Sequence, residues 1–124
     1  MDEKLKAALV SNETDLDGAR KRFVDDAELY LDCLRDFLED GTMSELKQAL
    51  AAENWDDAFT AAHAIKGLAG NMGFVPLFHA AAELVVNIRA GRRRDIGPSY
   101  LELERCYRQI CTAIKENCPD GGNL

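Results

Sequence analysis

Residues 55–73, WDDAFTAAHAIKGLAGNMG, carry the strongest helix signal in the chain. Asn54 stands before them as a helix cap, and Gly73 tolerates the chain reversal that ends a helix. At about 100° per residue, the apolar side chains of this stretch collect on one face, which we expect to be buried. That face comprises Trp55, Ala58, Phe59, Ala62, Ile65, Ala69 and Met72.

Amphipathic patterns continue on both sides of this helix. They predict a short helix over residues 15–23, helices over 26–40 and 42–53, a helix with Pro76 in its first turn that ends at Gly91, and a last helix from Pro98 to about residue 117. We expect Thr14 or Asp15 to cap the first of these. Asp25 and Thr42, each followed by a glutamate three residues on, are predicted to cap the next two.

The sequence contains no β-branched run with period-two alternation, so no strand is predicted. Short connections between amphipathic helices favour antiparallel neighbours. The predicted fold class is all-α, an antiparallel up-and-down four-helix bundle with short additional N-terminal helices. Residues 1–13 are expected to form a lead-in, residues 14–118 the bundle, and residues 119–124 a flexible C-terminal tail.

Composition excludes several classes of protein. With 124 residues the chain has room for one domain, and its 47% apolar content is enough for a real core. The net charge of −7 would repel a phosphate backbone, so nucleic acid is not an expected partner. No apolar run reaches the roughly 20 residues that a membrane span needs, and no export signal is recognisable, so we predict a cytoplasmic location without membrane attachment.

The residue pattern does not indicate a metal-binding site or a nucleotide-binding site. The four cysteines, Cys33, Cys106, Cys111 and Cys118, lack metal-site spacing and are expected to be reduced and mostly buried in helices. Thr60 and Pro76 stand three residues before the two histidines, where a di-iron bundle needs glutamates. Phosphate-binding and dinucleotide motifs are missing from the sequence, so autonomous ATP chemistry is not expected.

His63 is the candidate reactive residue. It lies beside the apolar face of its helix, with Gly67 and Gly70 following it one and two turns on, and with Lys66 close enough to bring its ammonium near the ring. A glycine in a helix interior costs about 1 kcal/mol relative to alanine, so two of them suggest close approach of another surface. A neutral imidazole can attack a phosphoryl group, and the lysine can pair with the transferred charge.

The run His63-Ala-Ile-Lys66-Gly67-Leu-Ala-Gly70-Asn71-Met-Gly73 resembles the H-x-x-K-G signature of histidine-containing phosphotransfer (HPt) domains, the helical modules of multistep phosphorelays. The resemblance covers about residues 14–116. It includes the N-terminal stretches Leu16-Asp17-Gly18-Ala19, Arg22-Phe23, Leu29-Tyr30 and Phe37-Leu38-Glu39-Asp40. Leu68 and Phe74 depart from the pattern, at positions where the family often has a small residue and alanine, which affects the surface that a partner would meet.

The resemblance implies that His63 accepts a phosphoryl group from a receiver-domain aspartate, or from a histidine kinase or hybrid kinase, and passes it to another receiver-domain aspartate. It implies that Lys66 steadies the phosphoryl group, that Gly67 leaves room for the receiver, and that Gly70 extends this clearance. Asn71 would orient the helix end or touch the partner. Mg2+ would belong to the partner receiver domain, so no cofactor and no autonomous catalysis are expected for this chain.

Two other functions stay open from the residues. The chain could be a helical adaptor that docks receiver domains without phosphorylation, although the His63 and Lys66 pair argues against this. It could also be the phospho-accepting domain of a chemotaxis-type histidine kinase.

Among the remaining residues, His79 is expected to be exposed, and Trp55 and Phe59 are expected to fill the core. The arginines at 92–94 are expected to form a solvated loop in preference to a docking patch.

Overall fold

The computed structural model describes residues 1–118, which form seven helices and no strand. The helices are α1 (Glu3–Ser11), α2 (Leu16–Arg22), α3 (Ala27–Glu39), α4 (Thr42–Ala51), α5 (Trp55–Met72), α6 (Val75–Ala90) and α7 (Arg93–Asn117). The predicted all-α fold class is therefore confirmed. The tail predicted at residues 119–124 lies outside the described residues.

The four longest helices, α3, α5, α6 and α7, form the antiparallel bundle, in which α5 packs on α6 and α6 on α7. Helix α4 packs along α5, and α1 lies on α7. Helix α3 joins through aromatic side chains, since the ring of Phe37 lies 5.1 Å from that of Phe74 and 5.3 Å from that of Tyr107. The fully buried large side chains are Phe74, Leu5, Leu9, Leu34, Leu46, Ile65, Leu77, Leu84, Leu103 and Ile114.

Residues 1–13, which we expected to lead into the bundle, contain the whole of α1. Leu5 and Leu9, one turn apart on this helix, are fully buried in the common core. Asp2 caps α1 by accepting hydrogen bonds from the backbone N–H groups of Lys4 and Leu5. This segment thus adds apolar side chains to the core as well as leading into the bundle.

Two of the predicted caps are wrong by one residue. Asp26, not Asp25, accepts the hydrogen bond from the backbone of Leu29 at the start of α3, because Asp25 has a left-handed backbone with φ of 59°. Thr42 is the first residue of α4 and Gly41 stands at the cap without a side-chain bond. At the start of α2, Asp15 caps as expected by accepting from the backbone of Gly18.

The last helix begins at Arg93, five residues before the predicted start at Pro98. Proline lacks the backbone N–H and normally disfavours a helix interior. Here the additional turn carries Ile96 into the core, and the buried hydroxyl of Ser99 donates a 2.7 Å hydrogen bond to the carbonyl oxygen of Asp95. Burial of the apolar side chain of Ile96 offsets the backbone hydrogen bond that Pro98 cannot donate. Pro98 itself is exposed.

All four cysteines are free. Burial raises the pKa of the Cys111 and Cys106 thiols above the ordinary range for cysteine, which keeps them protonated at neutral pH.

Over residues 1–118, none of the helices has the length and apolar content that crossing a membrane requires.

Candidate functional site

Helix α5 has the bounds that its end signals predict. The side chain of Asn54 accepts a 3.2 Å hydrogen bond from the backbone of Asp57, and Gly73 ends the helix with φ of 81°, in the left-handed region. The backbone N–H of Phe74 then reaches back to the carbonyl of Ala69 at 2.9 Å. Both ends of the helix that carries His63 are therefore set by local sequence.

The C-terminal end of α5 is also tied to the N-terminal helices. Its last carbonyls, which have no partner inside the helix, accept hydrogen bonds from distant residues. Arg22 Nε donates to Asn71 at 2.9 Å, the Tyr30 hydroxyl to Met72 at 2.7 Å, and the backbone N–H of Asp15 to Gly73 at 2.7 Å. These bonds hold the end of α5 in position against α2 and α3, a few turns from His63.

The buried face of α5 is formed largely by small residues. Ala58, Ala61, Ala62, Ile65, Ala69 and Met72 are buried, which lets the neighbouring helices approach closely. Trp55 and Phe59, which we expected in the core, are only half-buried and lie at its edge. They stand two turns and one turn before His63, on the side of α5 that faces α6.

The imidazole of His63 is exposed on the surface of the bundle. Its nearest aromatic neighbour is Phe59, one turn earlier on α5, at 6.0 Å between ring centroids with an interplanar angle of 57°. Gly67 is exposed one turn later. Apart from the adjacent residues and the backbone of its own helix, no atom of residues 1–118 would lie within 4 Å of a Cβ placed on Gly67. A partner can therefore approach the imidazole from this side without meeting a side chain at position 67.

Gly70 has a different environment from Gly67. A Cβ at this position would lie 3.4 Å from Cδ2 of Phe78, so the ring of Phe78 on α6 occupies the space above the glycine. The backbone carbonyl of Asn71 is held by Arg22, while its side chain is exposed. Gly67 thus stands next to open surface, and Gly70 receives an aromatic ring from the neighbouring helix.

Lys66 is half-buried, and its ammonium Nζ lies 5.7 Å from the centroid of the Phe78 ring, within the range of a cation–π contact. The residue pattern along the sequence gives no sign of this contact. Periodicity shows which face of a helix is apolar, but not which residue of another helix lies opposite. His79, as expected, is exposed.

Two arginines stack on the other aromatic rings beside the site. The guanidinium carbon of Arg89 lies 5.0 Å from the centroid of Phe59, and that of Arg93 lies 3.8 Å from the centroid of Trp55. The prediction of a loop is thus wrong for Arg93 and Arg94, which are the first two residues of α7, and Arg93 is held against a ring although it is exposed. Arg92 and Arg94 are exposed.

The site has no group of metal ligands of its own. Nowhere in the part of the chain that the structure describes do three His, Cys, Asp or Glu side chains come together as they would around a metal ion. The arrangement instead offers an accessible imidazole and, on the adjacent turn, an ammonium. These are suited to nucleophilic attack on an anionic group and to its electrostatic stabilisation.

Comparison with known proteins agrees with this geometry. The family model of the Hpt domain matches residues 19–113, which is most of the chain and contains α3 to α6 together with most of α7. No curated protein and no solved structure matches the chain. Because the match spans most of the bundle and includes the helix of the exposed histidine, the chain belongs to the Hpt domain family, the histidine phosphotransfer domains of phosphorelays.

Proposed function

We propose that the chain is a phosphorelay intermediate that accepts a phosphoryl group on His63 and passes it on. The donor is an aspartyl phosphate on a receiver domain, or a histidine kinase or hybrid kinase, and the acceptor is the aspartate of another receiver domain. The observation that carries this proposal is the exposed imidazole on α5, next to the open surface at Gly67 and one turn from an ammonium. An imidazole with a structural role would be expected to have a hydrogen-bond partner or a packed environment instead.

The transfer step is a displacement at phosphorus. The unprotonated ring nitrogen of His63 donates its electron pair to form the new P–N bond, while the P–O bond to the aspartate breaks and the carboxylate leaves with that electron pair. The other ring nitrogen keeps its hydrogen, so the product is a phosphoimidazolium that can release a proton to water. The onward transfer reverses these bond changes with a second carboxylate as the nucleophile.

Lys66 is positioned to stabilise the transferred group. A phosphoryl group carries close to two negative charges, and an ammonium on the adjacent turn can pair with it. The contact with Phe78 keeps this ammonium near the surface without a carboxylate beside it. Lys66 can therefore pair with the phosphoryl group while it stays in contact with the ring, without first breaking an ion pair.

In this proposal the chain supplies a nucleophile and a cation but no metal and no cofactor. Mg2+ would be held by the carboxylates of the receiver domain, and it would compensate charge on the phosphoryl oxygens during transfer. The residues around His63 do not fit a Mg2+ site, since no group of three His, Cys, Asp or Glu side chains comes together in residues 1–118. The charged side chain on the next turn, Lys66, is a cation. The chain is then a phosphotransfer protein whose reaction proceeds only in a complex with its partner.

The experiment is phosphotransfer from a receiver domain that carries labelled aspartyl phosphate. The protein should acquire label in a form that is labile in acid and stable in alkali, as expected for a phosphoramidate bond. His63→Gln should abolish the label, whereas His79→Gln, a change of the exposed histidine on α6, should leave it intact. Label that persists in the His63 variant refutes the assignment. Binding of the receiver without any label would identify an adaptor instead.

A further inference from the structure

The two stacked arginines share a geometry that the proposed chemistry at His63 does not use. Arg89 on α6 and Arg93 on α7 lie over Phe59 and Trp55, which precede His63 on α5 by four and eight residues. At 1.5 Å per residue these rings lie about 6 and 12 Å from His63 along the helix axis. We refer to Arg89 and Arg93 together as the arginine ledge.

The charges of the ledge are held in place but not neutralised. Within residues 1–118, no carboxylate lies within 4 Å of either guanidinium, whereas Arg105 and Arg108 on α7 are each paired with a glutamate. An aromatic face restrains a guanidinium and leaves its N–H edge free to bind an anion.

The opposite flank of His63 has the opposite charge. The groove between α4 and α5 is lined by Glu45 and Asp57, together with Thr60 and several alanines. Asp57 accepts a hydrogen bond from Asn54 and no cation of the described chain pairs with it. The surface around His63 therefore changes from anionic at α4 to cationic at α6, a polarity that can select one orientation of a charged partner.

We propose that the arginine ledge is a docking surface for the acidic face of a phosphorylated receiver domain. This inference rests on the proposed function. A partner that presents an aspartyl phosphate among Mg2+-binding carboxylates is negative around its reactive group, which complements the ledge. An interface of standard size covers about 800 Å2 on each partner, or roughly 16 Å in radius, so both arginines fall within a footprint centred on His63. The ledge attracts and orients the donor and takes no part in the bond changes.

The test measures transfer from a phosphorylated receiver to Arg89→Gln, Arg93→Gln and the double variant. At low ionic strength the second-order rate constant of the double variant should fall about tenfold, with the rate at saturating receiver unchanged. The deficit should shrink at high salt, because added ions screen the attraction. Lysine at both positions should restore most of the rate. Arg105→Gln removes the same charge from a guanidinium that Glu102 already neutralises and should match the wild type.

A second donor separates docking from chemistry. Phosphoramidate is small and has no surface to dock, so it should label the wild type and the double variant equally. The docking proposal is refuted if the double variant and Arg105→Gln have the same rate constant for transfer from the receiver at every salt concentration. It is also refuted if the double variant loses labelling by phosphoramidate. If neither donor labels the wild-type protein, the proposed function itself fails, and that result cannot be confused with failure of the ledge alone.

Discussion

The hydroxyl of Tyr30 donates a buried 2.7 Å hydrogen bond to the backbone carbonyl of Met72, and this bond joins α3 to the last turn of the histidine helix. The ring of Tyr30 is also held edge-on by Phe23, with 5.2 Å between the centroids. A carbonyl at a helix C-terminus that is buried without a donor would lose free energy. The position of α5 therefore depends on a side chain 42 residues earlier in the chain.

Tyr30→Phe keeps the ring and removes this donor. We expect the free energy of unfolding to fall by about 1–2 kcal/mol, because the Met72 carbonyl is left buried without its partner. Urea denaturation followed by circular dichroism measures the change. The matched control is Tyr100→Phe, which removes a half-buried hydroxyl that donates to the side chain of Glu104 within α7 and should cost no more than about 0.5 kcal/mol. Equal losses in the two variants would contradict the special role of Tyr30.

Ionisation of the same hydroxyl should make the free energy of unfolding depend on pH above about pH 10. Burial raises the pKa of Tyr30 above its ordinary value of about 10, so the unfolded chain loses this proton first. The protonated hydroxyl makes its full contribution to the free energy of unfolding below pH 10. As the pH rises further, this contribution is lost at up to about 1.4 kcal/mol per pH unit. Tyr30→Phe has no phenolic proton to lose, so its stability does not change with pH for this reason. The stability difference between the wild type and the variant should therefore narrow between pH 9 and pH 11, and a constant difference would show that Tyr30 does not titrate with folding.

Gly73 and Gly91 both have left-handed backbones, but only Gly73 is enclosed. Alanine at Gly91 meets no described atom within 4 Å and should cost about 1 kcal/mol through its φ of 68° alone. Alanine at Gly73 would also place its Cβ 2.5 Å from the carbonyl oxygen of Asp15, and we expect a loss of about 3 kcal/mol or more. Urea denaturation of the two variants compares them directly. Equal losses would mean that the chain near Asp15 moves aside at no cost.

The extent of α5 could be predicted from the sequence because its end signals are local. Asn54 and Gly73 act on residues within one turn of themselves, so their effect does not depend on the rest of the fold. The start of α7 could not be predicted in this way. Pro98 is a local signal for a helix start, and burial of Ile96 outweighs it. That burial depends on helices that are far away in the sequence.

The residues of the candidate site also divide into those that local sequence reveals and those that depend on packing between helices. His63, Lys66 and Gly67 are visible as a motif because they lie on consecutive turns of one helix. Phe78 and Arg89 are not, because their place beside this motif depends on how α6 is packed against α5. The difference between Gly67 and Gly70 has the same origin, since Phe78 covers only one of them.

Phe78 should assist phosphotransfer through Lys66. We expect Lys66→Ala to lower the transfer rate about tenfold, because a cation near the phosphoryl group is lost. Phe78→Leu should lower it about threefold, the effect of a cation–π contact of about 0.7 kcal/mol, while Phe78→Tyr should retain the rate. The double-mutant cycle is the decisive measurement. In the Lys66→Ala background, Phe78→Leu should have no further effect, and multiplicative losses would show that the two residues act independently.

Gly67→Gln tests whether the open surface beside His63 is needed by the partner. The position is exposed and free of contacts with other helices, so glutamine should fit and should stabilise the helix by up to about 1 kcal/mol relative to glycine. Transfer from a receiver domain should nevertheless slow at least tenfold, because the added side chain holds the partner away from the imidazole. Labelling by phosphoramidate should be much less affected. Ala7→Gln, an equally exposed change on α1, controls for the effect of a new surface glutamine. An unchanged transfer rate in the Gly67 variant would show that the receiver approaches His63 from another side.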